Sequence, residues 1–265
     1  MSIFTNVFGK SSKMITFSQL GKLGRLGNAM FQIAATIAHA RRMNLEACFP
    51  PWEYRDVFSI PLPVRRVVGL PRYQEKRFEY DPIPQVDGID LYGYFQSEKY
   101  FSDHQDTIKG WFNFAIGIKT QLSHKYESIL KDRVCSVHVR RTDYLNLSQY
   151  HPPLGMGYYL SAIEAAGRDM KFLVFSDDIQ WCKENPGFKG DNILFVEGNS
   201  AAQDMCLMSW CNDHIIANSS FSWWGSWLCE GKDKRVFAPK KSLWFGKEYA
   251  HKSVDDLYCE NWTIL

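Results

Sequence analysis

The sequence predicts an α/β protein built from two parallel-sheet units of the nucleotide-binding type. Three observations predict it. Residues 14–49 read as strand, glycine loop, helix, strand. From Val134 onward, short apolar strands alternate with helical stretches, the pattern of a doubly wound parallel sheet. Several of those later strands end in polar clusters, and open α/β sheets bind ligands beyond the carboxyl ends of their strands. The division falls near 115–132, giving an N-terminal unit at 14–125 and a C-terminal unit at 126–265.

Taken in order, residues 1–13 are polar and irregular, a loose leader. Met14–Leu20 is the first strand. Gly21, Gly24 and Gly27 form a tight loop carrying Arg25 and Asn28. Met30, Ile33, Ala34, Ile37 and Ala38 then recur at helical spacing, so an amphipathic helix runs to about Met43. Leu45–Phe49 is the second strand. Residues 50–87 hold seven of the eleven prolines and little periodicity, so they are read as irregular, with one possible strand at Val64–Val68. Ile89–Phe95 is a strand, and Ser97 caps a short helix after it. A helical connector covers 104–131.

The second half reads as strand 134–139, a loop holding His151-Pro152-Pro153, and a helix over Met156–Ala166. Strand Phe172–Phe175 and a short helix stopping before Pro186 follow. Then come strand Ile193–Val196, helix Ser200–Trp210, strand His214–Ala217 and a Trp-rich helix over Phe221–Cys229. Strand Arg235–Ala238 precedes the tail. Trp223, Trp224 and Trp227 could be sugar platforms, but their spacing favours core packing.

Composition narrows the function classes. A net charge of +2 leaves no nucleic-acid or acidic-membrane footprint in the totals. Seven cysteines, an odd number without a CxxC pair, fit reduced core thiols rather than a disulfide framework. No apolar run of about 20 residues and no signal-peptide core are visible, so the expectation is a soluble, cytoplasmic enzyme.

The chemistry gathers at the strand ends. Val134–Val137 is apolar, yet His138, Arg140, Arg141 and Asp143 follow within six residues. Buried charge at that density is costly, so this strand opens into a site. Paired arginines suit a phosphate or carboxylate ligand; the alternative is a surface end with arginines salt-bridged to Asp143, and spacing alone leaves both open. Ser176-Asp177-Asp178 and Asn218-Ser219-Ser220-Phe221-Ser222 end two further strands. Ser220 precedes a helix whose first amides, with the hydroxyls, make a phosphate seat. A carboxylate at Asp177 or Asp178 suits a base with adjacent N–H donors, such as guanine. The competing readings are helix capping by the Asp177-Asp178 pair, a divalent ion held by the same pair, and a nicotinamide fold using the glycine loop and Glu46. Scattered histidines, with no ligand spacing, argue against a metal centre.

These residues resemble the α-1,2-fucosyltransferases, a family of inverting glycosyltransferases related to the α-1,6- and protein O-fucosyltransferases. Gly24-Arg-Leu-Gly-Asn-Ala-Met-Phe-Gln-Ile-Ala34 is similar to the family's opening G-x-x-G-N-Q-M-F-Q-Y-A. Gly93–Phe101 is similar to its middle motif, His138-Val-Arg-Arg-Thr-Asp143 to H-x-R-R-x-D, and Phe175–Asp178 and Asn218–Gly225 to the last two. Ala29, Ile33 and Thr142 depart from the usual Gln, Tyr and Gly, which bears on the acceptor side more than on the donor.

The resemblance implies two Rossmann-like domains in a GT-B-type arrangement, with GDP-L-fucose held mainly by the second and no metal. It implies Arg140 on the β-phosphate, His138 and one of Asp177 or Asp178 on guanine, and Asn218–Ser222, with Ser220–Ser222 on the diphosphate. Arg25 and Asn28 face across the cleft to fucose and phosphate, while Arg141 and Asp143 support the site. The implied acceptor is the 2-hydroxyl of a β-galactoside glycan, recognised by residues 50–90 and 144–155. Asp143 is a candidate base by sequence proximity alone. The alternatives are another linkage from the same donor, or a non-catalytic glycan- or nucleotide-binding module.

Overall fold

A computed structural model describes residues 14–60 and 62–265; the leader at 1–13 lies outside the described residues. The first sheet is built from β1 (Met14–Thr16), β2 (Glu46–Cys48), β3 (Arg72–Gln74) and β4 (Ile89–Tyr92), with α1 (Leu26–Arg42) crossing over between β1 and β2. Its order is β2-β1-β4-β3 and every pairing is parallel. Two helices follow, α2 (Gln105–Trp111) and α3 (Ile116–Tyr126).

The second half alternates strands with helices up to its last two strands, with two helices after its first strand. In chain order it runs β5 (Val134–Val139), α4 (Thr142–Asn146), α5 (Met156–Ala166), β6 (Lys171–Ser176), α6 (Ile179–Glu184), β7 (Ile193–Phe195) and α7 (Ala201–Trp210). Then come β8 (Asp213–Ile215), α8 (Ser220–Trp227), β9 (Arg235–Ala238) and β10 (Thr263–Ile264). These strands form one parallel sheet in the order β10-β9-β8-β5-β6-β7. Central β5 is fully buried, Ser136 and His138 included, as befits a Val/Cys-rich strand covered on both faces. Its register, Val134↔Lys171 through Val139↔Ser176, brings the ends of β5 and β6 level, so Arg140 and Asp177 emerge side by side.

Three sequence expectations change here. Val64–Val68 is not a strand: only Val64 makes a bridge, to Phe49, while the ladder is formed by Arg72–Gln74. Tertiary pairing with β4 overrides a segment whose polar residues gave no strand signal. The segment after β5 is not all loop, since Thr142–Asn146 makes one helical turn braced by Asp177. Glu46 sits exposed on edge strand β2 and does not line the main cleft, which removes the dinucleotide analogy.

One apolar core joins the two sheets through α1 and α8. The Phe31 ring lies 4.4 Å from Trp223 and 4.9 Å from Trp224, and Phe101 stacks on Trp224 at 5.5 Å. Trp223 and Trp224 are wholly buried, so these tryptophans are core and not platforms. Truncating such a ring costs about 3–5 kcal/mol. All seven cysteines are free, six of them buried.

Candidate active site

Two glycines let α1 and α8 meet end to end. Gly24 has φ +89°, and a Cβ there would strike the Asn28 side chain. A Cβ at Gly27 would lie 2.7 Å from the Ser220 carbonyl carbon and 2.8 Å from the Phe221 nitrogen. The N-termini of the two helices therefore touch, and both face one cleft of about 750 Å³ at the carboxyl ends of the strands of both sheets. Asn28 Oδ1 seals the junction, accepting from Ser220 Oγ at 2.6 Å and from Gln96 Nε2 at 2.8 Å. Trp224 Nε1 donates to the Gly27 carbonyl at 2.9 Å.

Arg140 lines the same cleft. Its guanidinium is mostly buried, held by Asp143 at 2.5 Å and Asp177 at 2.9 Å. Asp177 also accepts the Arg141 and Thr142 amides and the Thr142 hydroxyl. Burial pushes the Asp177 carboxyl up, but the Thr142 bond, Arg140 and the Arg141 amide outweigh it and hold it below the usual range. Arg25, largely exposed at the mouth, reaches within 3.9 Å of Asp143. Arg141 turns away, pairing with Asp178 at 3.2 Å and lying 3.8 Å over the Trp181 ring. Both arginines of the pair thus have carboxylate partners, yet only Arg140 lines the cleft.

His138 lines the cleft floor beside Phe221. Burial first, then the Arg140 charge, lowers its pKa to about 3, so the ring is neutral. Its Nδ1 is 2.9 Å from Ser222 Oγ, which also accepts the Ala217 amide. The other acceptor in reach of that hydroxyl, the Ser219 carbonyl, is 3.5 Å away. The shorter contact takes the hydroxyl proton to Nδ1 and leaves the hydrogen on Nε2.

Not every expected residue arrives at the cleft. Ser219, Ser220 and Phe221 line it, but Ser222 does not: it is buried, its hydroxyl committed to His138 and Ala217. Asp178 does not line the cleft either: it caps α6 through the Trp181 amide and pairs with Arg141, so its carboxylate diverges from that of Asp177. Asn218 lines the cleft while its Nδ2 ties down the carbonyls of Pro152, Leu243 and Trp244. Among the described residues no cluster of three or more His, Cys, Asp or Glu is arranged to hold a metal.

Other cleft residues escaped the sequence reading. Asp204 on α7 lines it, with burial raising its carboxyl to about 6 against a hydrogen bond from Asn199 and the charge of Lys125. Tyr144 stacks on His151 at 5.1 Å, and Phe245 and Tyr249 enclose His151, with Lys252 Nζ 3.4 Å from the Tyr249 ring centre. Gln96 falls within the Gly93–Phe101 motif, a signal visible in the sequence. The collar at 244–252 stands on irregular turns whose sequence carries no period.

The fold and this cleft define the class: a parallel α/β protein with two helix N-termini and a guanidinium facing one cavity. The chain belongs to glycosyl transferase family 11, whose model matches residues 71–265. It is 35% identical over 202 residues to an α-1,2-colitosyltransferase of Escherichia coli, covering 70% of this chain and 69% of that protein. It is 35% identical over 192 residues to the O-antigen biosynthesis glycosyltransferase WbnK of the same organism, covering 67% of this chain and 61% of the relative. A galactoside α-(1,2)-fucosyltransferase 2 of Sus scrofa is 26% identical over 247 residues, covering 80% and 70%. Among solved structures, an α-1,6-fucosyltransferase NodZ soaked with GDP-fucose superposes with TM-score 0.57 at 13% identity, over 88% of this chain and 96% of that one. That likeness shows the shared α/β fold. No helix among the described residues is long and apolar enough to cross a membrane.

Proposed function

We propose that the protein transfers L-fucose from GDP-β-L-fucose to the 2-hydroxyl of a terminal β-galactose, with inversion and without a metal. The observation that carries this is the meeting of the α1 and α8 N-termini in the same cleft that Arg140 lines. First-turn amides left uncapped and a guanidinium fixed by two carboxylates are donors suited to a departing diphosphate that gathers charge. Family membership and the α-1,2-specific relatives supply the reaction class.

In this reading residues 14–125 and 126–265 are the two Rossmann-like domains of a GT-B arrangement, with the donor held mainly by the second. Arg140 binds the β-phosphate, and Asp143 and Asp177 fix its rotamer. Ser219, Ser220 and the first-turn amides of α8 that the Ser219 cap does not take hold the diphosphate, with Arg25 and Asn28 closing on it from the first domain. The Nε2 hydrogen of neutral His138 is offered to an acceptor on guanine. Asp204 takes the guanine-facing carboxylate role first expected of Asp177 or Asp178. The aromatic collar of Tyr144, His151, Phe245 and Tyr249 receives the acceptor sugar.

The bond from fucose C1 to the β-phosphate oxygen breaks as the acceptor hydroxyl oxygen bonds C1 from the opposite face, converting a β-linked donor into an α-fucoside and releasing GDP and the hydroxyl proton, which passes to the leaving diphosphate or to water. Charge grows on the leaving diphosphate, and losing one preorganised donor there costs about 2.7–4 kcal/mol of transition-state stabilisation. Asp143 serves as a positioning residue, because one oxygen is taken by Arg140 and the other faces Arg25. A loose, oxocarbenium-like transition state asks little of a base.

A second reading is favoured by the 35% identity to the colitosyltransferase: the same chemistry with a GDP-linked sugar lacking the 3-hydroxyl. The test is incubation of the purified chain with GDP-fucose or GDP-colitose and a panel of β-galactosides, with linkage read by NMR. An α-1,2-fucosylated product supports the first reading and colitosylation alone the second. Binding of GDP-sugar without turnover on any acceptor would leave the non-catalytic module.

A further inference from the structure

A second cavity, of about 910 Å³, lies on the far side of two loops that wall the cleft. Lys22 and Pro50-Pro51 line this cavity, whereas Gly24, Arg25 and Tyr54 of the same loops line the cleft. Its remaining wall is the segment Val64-Arg65-Arg66-Val67-Val68-Gly69-Leu70, with Arg72 and Asp90. None of the segment's side chains lines the main cleft.

The charge balance of this cavity is one-sided. Asp90 is its one carboxylate among the described residues, and that group is occupied by the Ser18 amide and hydroxyl and by Arg72 at 3.4 Å. Lys22, Arg65 and Arg66 have no carboxylate partner among the described residues. The balanced total of the chain conceals this local excess of cations. Apolar side chains stand beside them: Val68 is 85% exposed and Val64 41%.

A soluble anion would be served by the cations alone, and single-stranded nucleic acid by cations with aromatic faces. Unpaired cations interleaved with outward-facing aliphatic side chains match an anionic bilayer, whose headgroups take the charge while its acyl boundary takes the valines.

We propose that this cavity and the 64–70 segment form a seat for an anionic lipid surface. Lys22, Arg65 and Arg66 meet the phosphate headgroups, and Val64 and Val68 enter the acyl boundary. The seat places the mouth of the neighbouring cleft at the membrane surface. It stands apart from the transfer reaction, and its test needs no turnover.

The test is co-sedimentation of the full chain with phosphatidylcholine vesicles, with or without phosphatidylglycerol. Binding to the anionic vesicles only, weakening with salt, is expected. Each basic side chain near such a surface contributes about fivefold in affinity, so Arg65→Ala with Arg66→Ala should cut binding about 25-fold. Val68→Asp should also weaken binding while Val68→Leu retains it. Unchanged unfolding midpoints show that these variants are folded. Equal binding to both vesicles, binding to neither, or wild-type binding by the arginine double variant would overturn the proposal. So would full competition by soluble glycerol phosphate at matched phosphate concentration, which would identify a site for free phosphate esters.

Discussion

Replacing Gly27 by alanine tests whether the junction of α1 and α8 is what shapes the site. The added Cβ meets backbone atoms of Ser220 and Phe221, which no side-chain rotation relieves. To regain ordinary contact the two helix ends must separate by about 0.7 Å. Overpacking of this kind costs about 1–3 kcal/mol, and the helix preference of alanine returns up to about 1 kcal/mol. A net loss of about 1–2 kcal/mol in a chain of this size lowers the unfolding midpoint by about 2–8 °C. The larger effect falls on the cleft. Separation stretches the Ser220–Asn28 and Trp224–Gly27 hydrogen bonds and moves one wall of the donor seat relative to Arg140. Since a 1 Å misplacement can cost about 100-fold, kcat/KM should fall about 10- to 100-fold, with GDP binding by calorimetry weakened in parallel. Gly110→Ala on α2 is the control, because a Cβ there meets nothing; it should leave activity unchanged. Wild-type turnover and midpoint in Gly27→Ala would refute the reasoning.

Other outcomes follow from the same geometry. Asp213 is fully buried between Arg133 and Arg235; burial pushes its carboxyl up, but the two arginines hold it below the usual range. Asp213→Ala leaves two arginines that are nearly half exposed and can reach water, so it should destabilise by about 1–3 kcal/mol, seen in urea unfolding, without changing the KM of the folded fraction. His214 is buried and held neutral, its pKa lowered to about 3 by burial and then Lys234. The unfolded chain takes up that proton below about pH 6.5, so this residue makes stability fall as pH drops from 6.5 toward 3. His214→Gln should flatten the fall between pH 6.5 and 5 by about 2 kcal/mol, whatever its effect at neutral pH; an unchanged slope would show that the ring protonates in the fold. Activity should survive EDTA, and strict dependence on added Mn²⁺ or Mg²⁺ would contradict the metal-free scheme.

Much of this was legible in the sequence, for identifiable reasons. The α1 periodicity, the buried β5 run and the alternation after Val134 are local signals that the packing reinforces. Arg140 and Asp177 could be placed together because they end neighbouring strands whose register is fixed. Direction was not legible. Asp177 and Asp178 are adjacent in sequence, but the turn into α6 sends one to Arg140 and the other to a helix cap. Ser222 falls one helical position beyond the residues that face the cleft and so turns into the core under His138. Asp204 and the collar at 244–252 reach the cleft only through tertiary contacts, and β3 forms because β4 offers an edge.

The central claim is that Arg140, sharing one cleft with the α1–α8 junction, drives departure of a guanosine diphosphate from fucose. The most direct measurement is single-turnover fucosyl transfer from GDP-fucose to a β-galactoside by the wild type and by Arg140→Ala, with folding checked by circular dichroism. The account predicts an α-1,2-linked product from the wild type and a loss of about 100-fold or more in the folded variant, in line with removal of a preorganised donor. Comparable rates in the two proteins would contradict it.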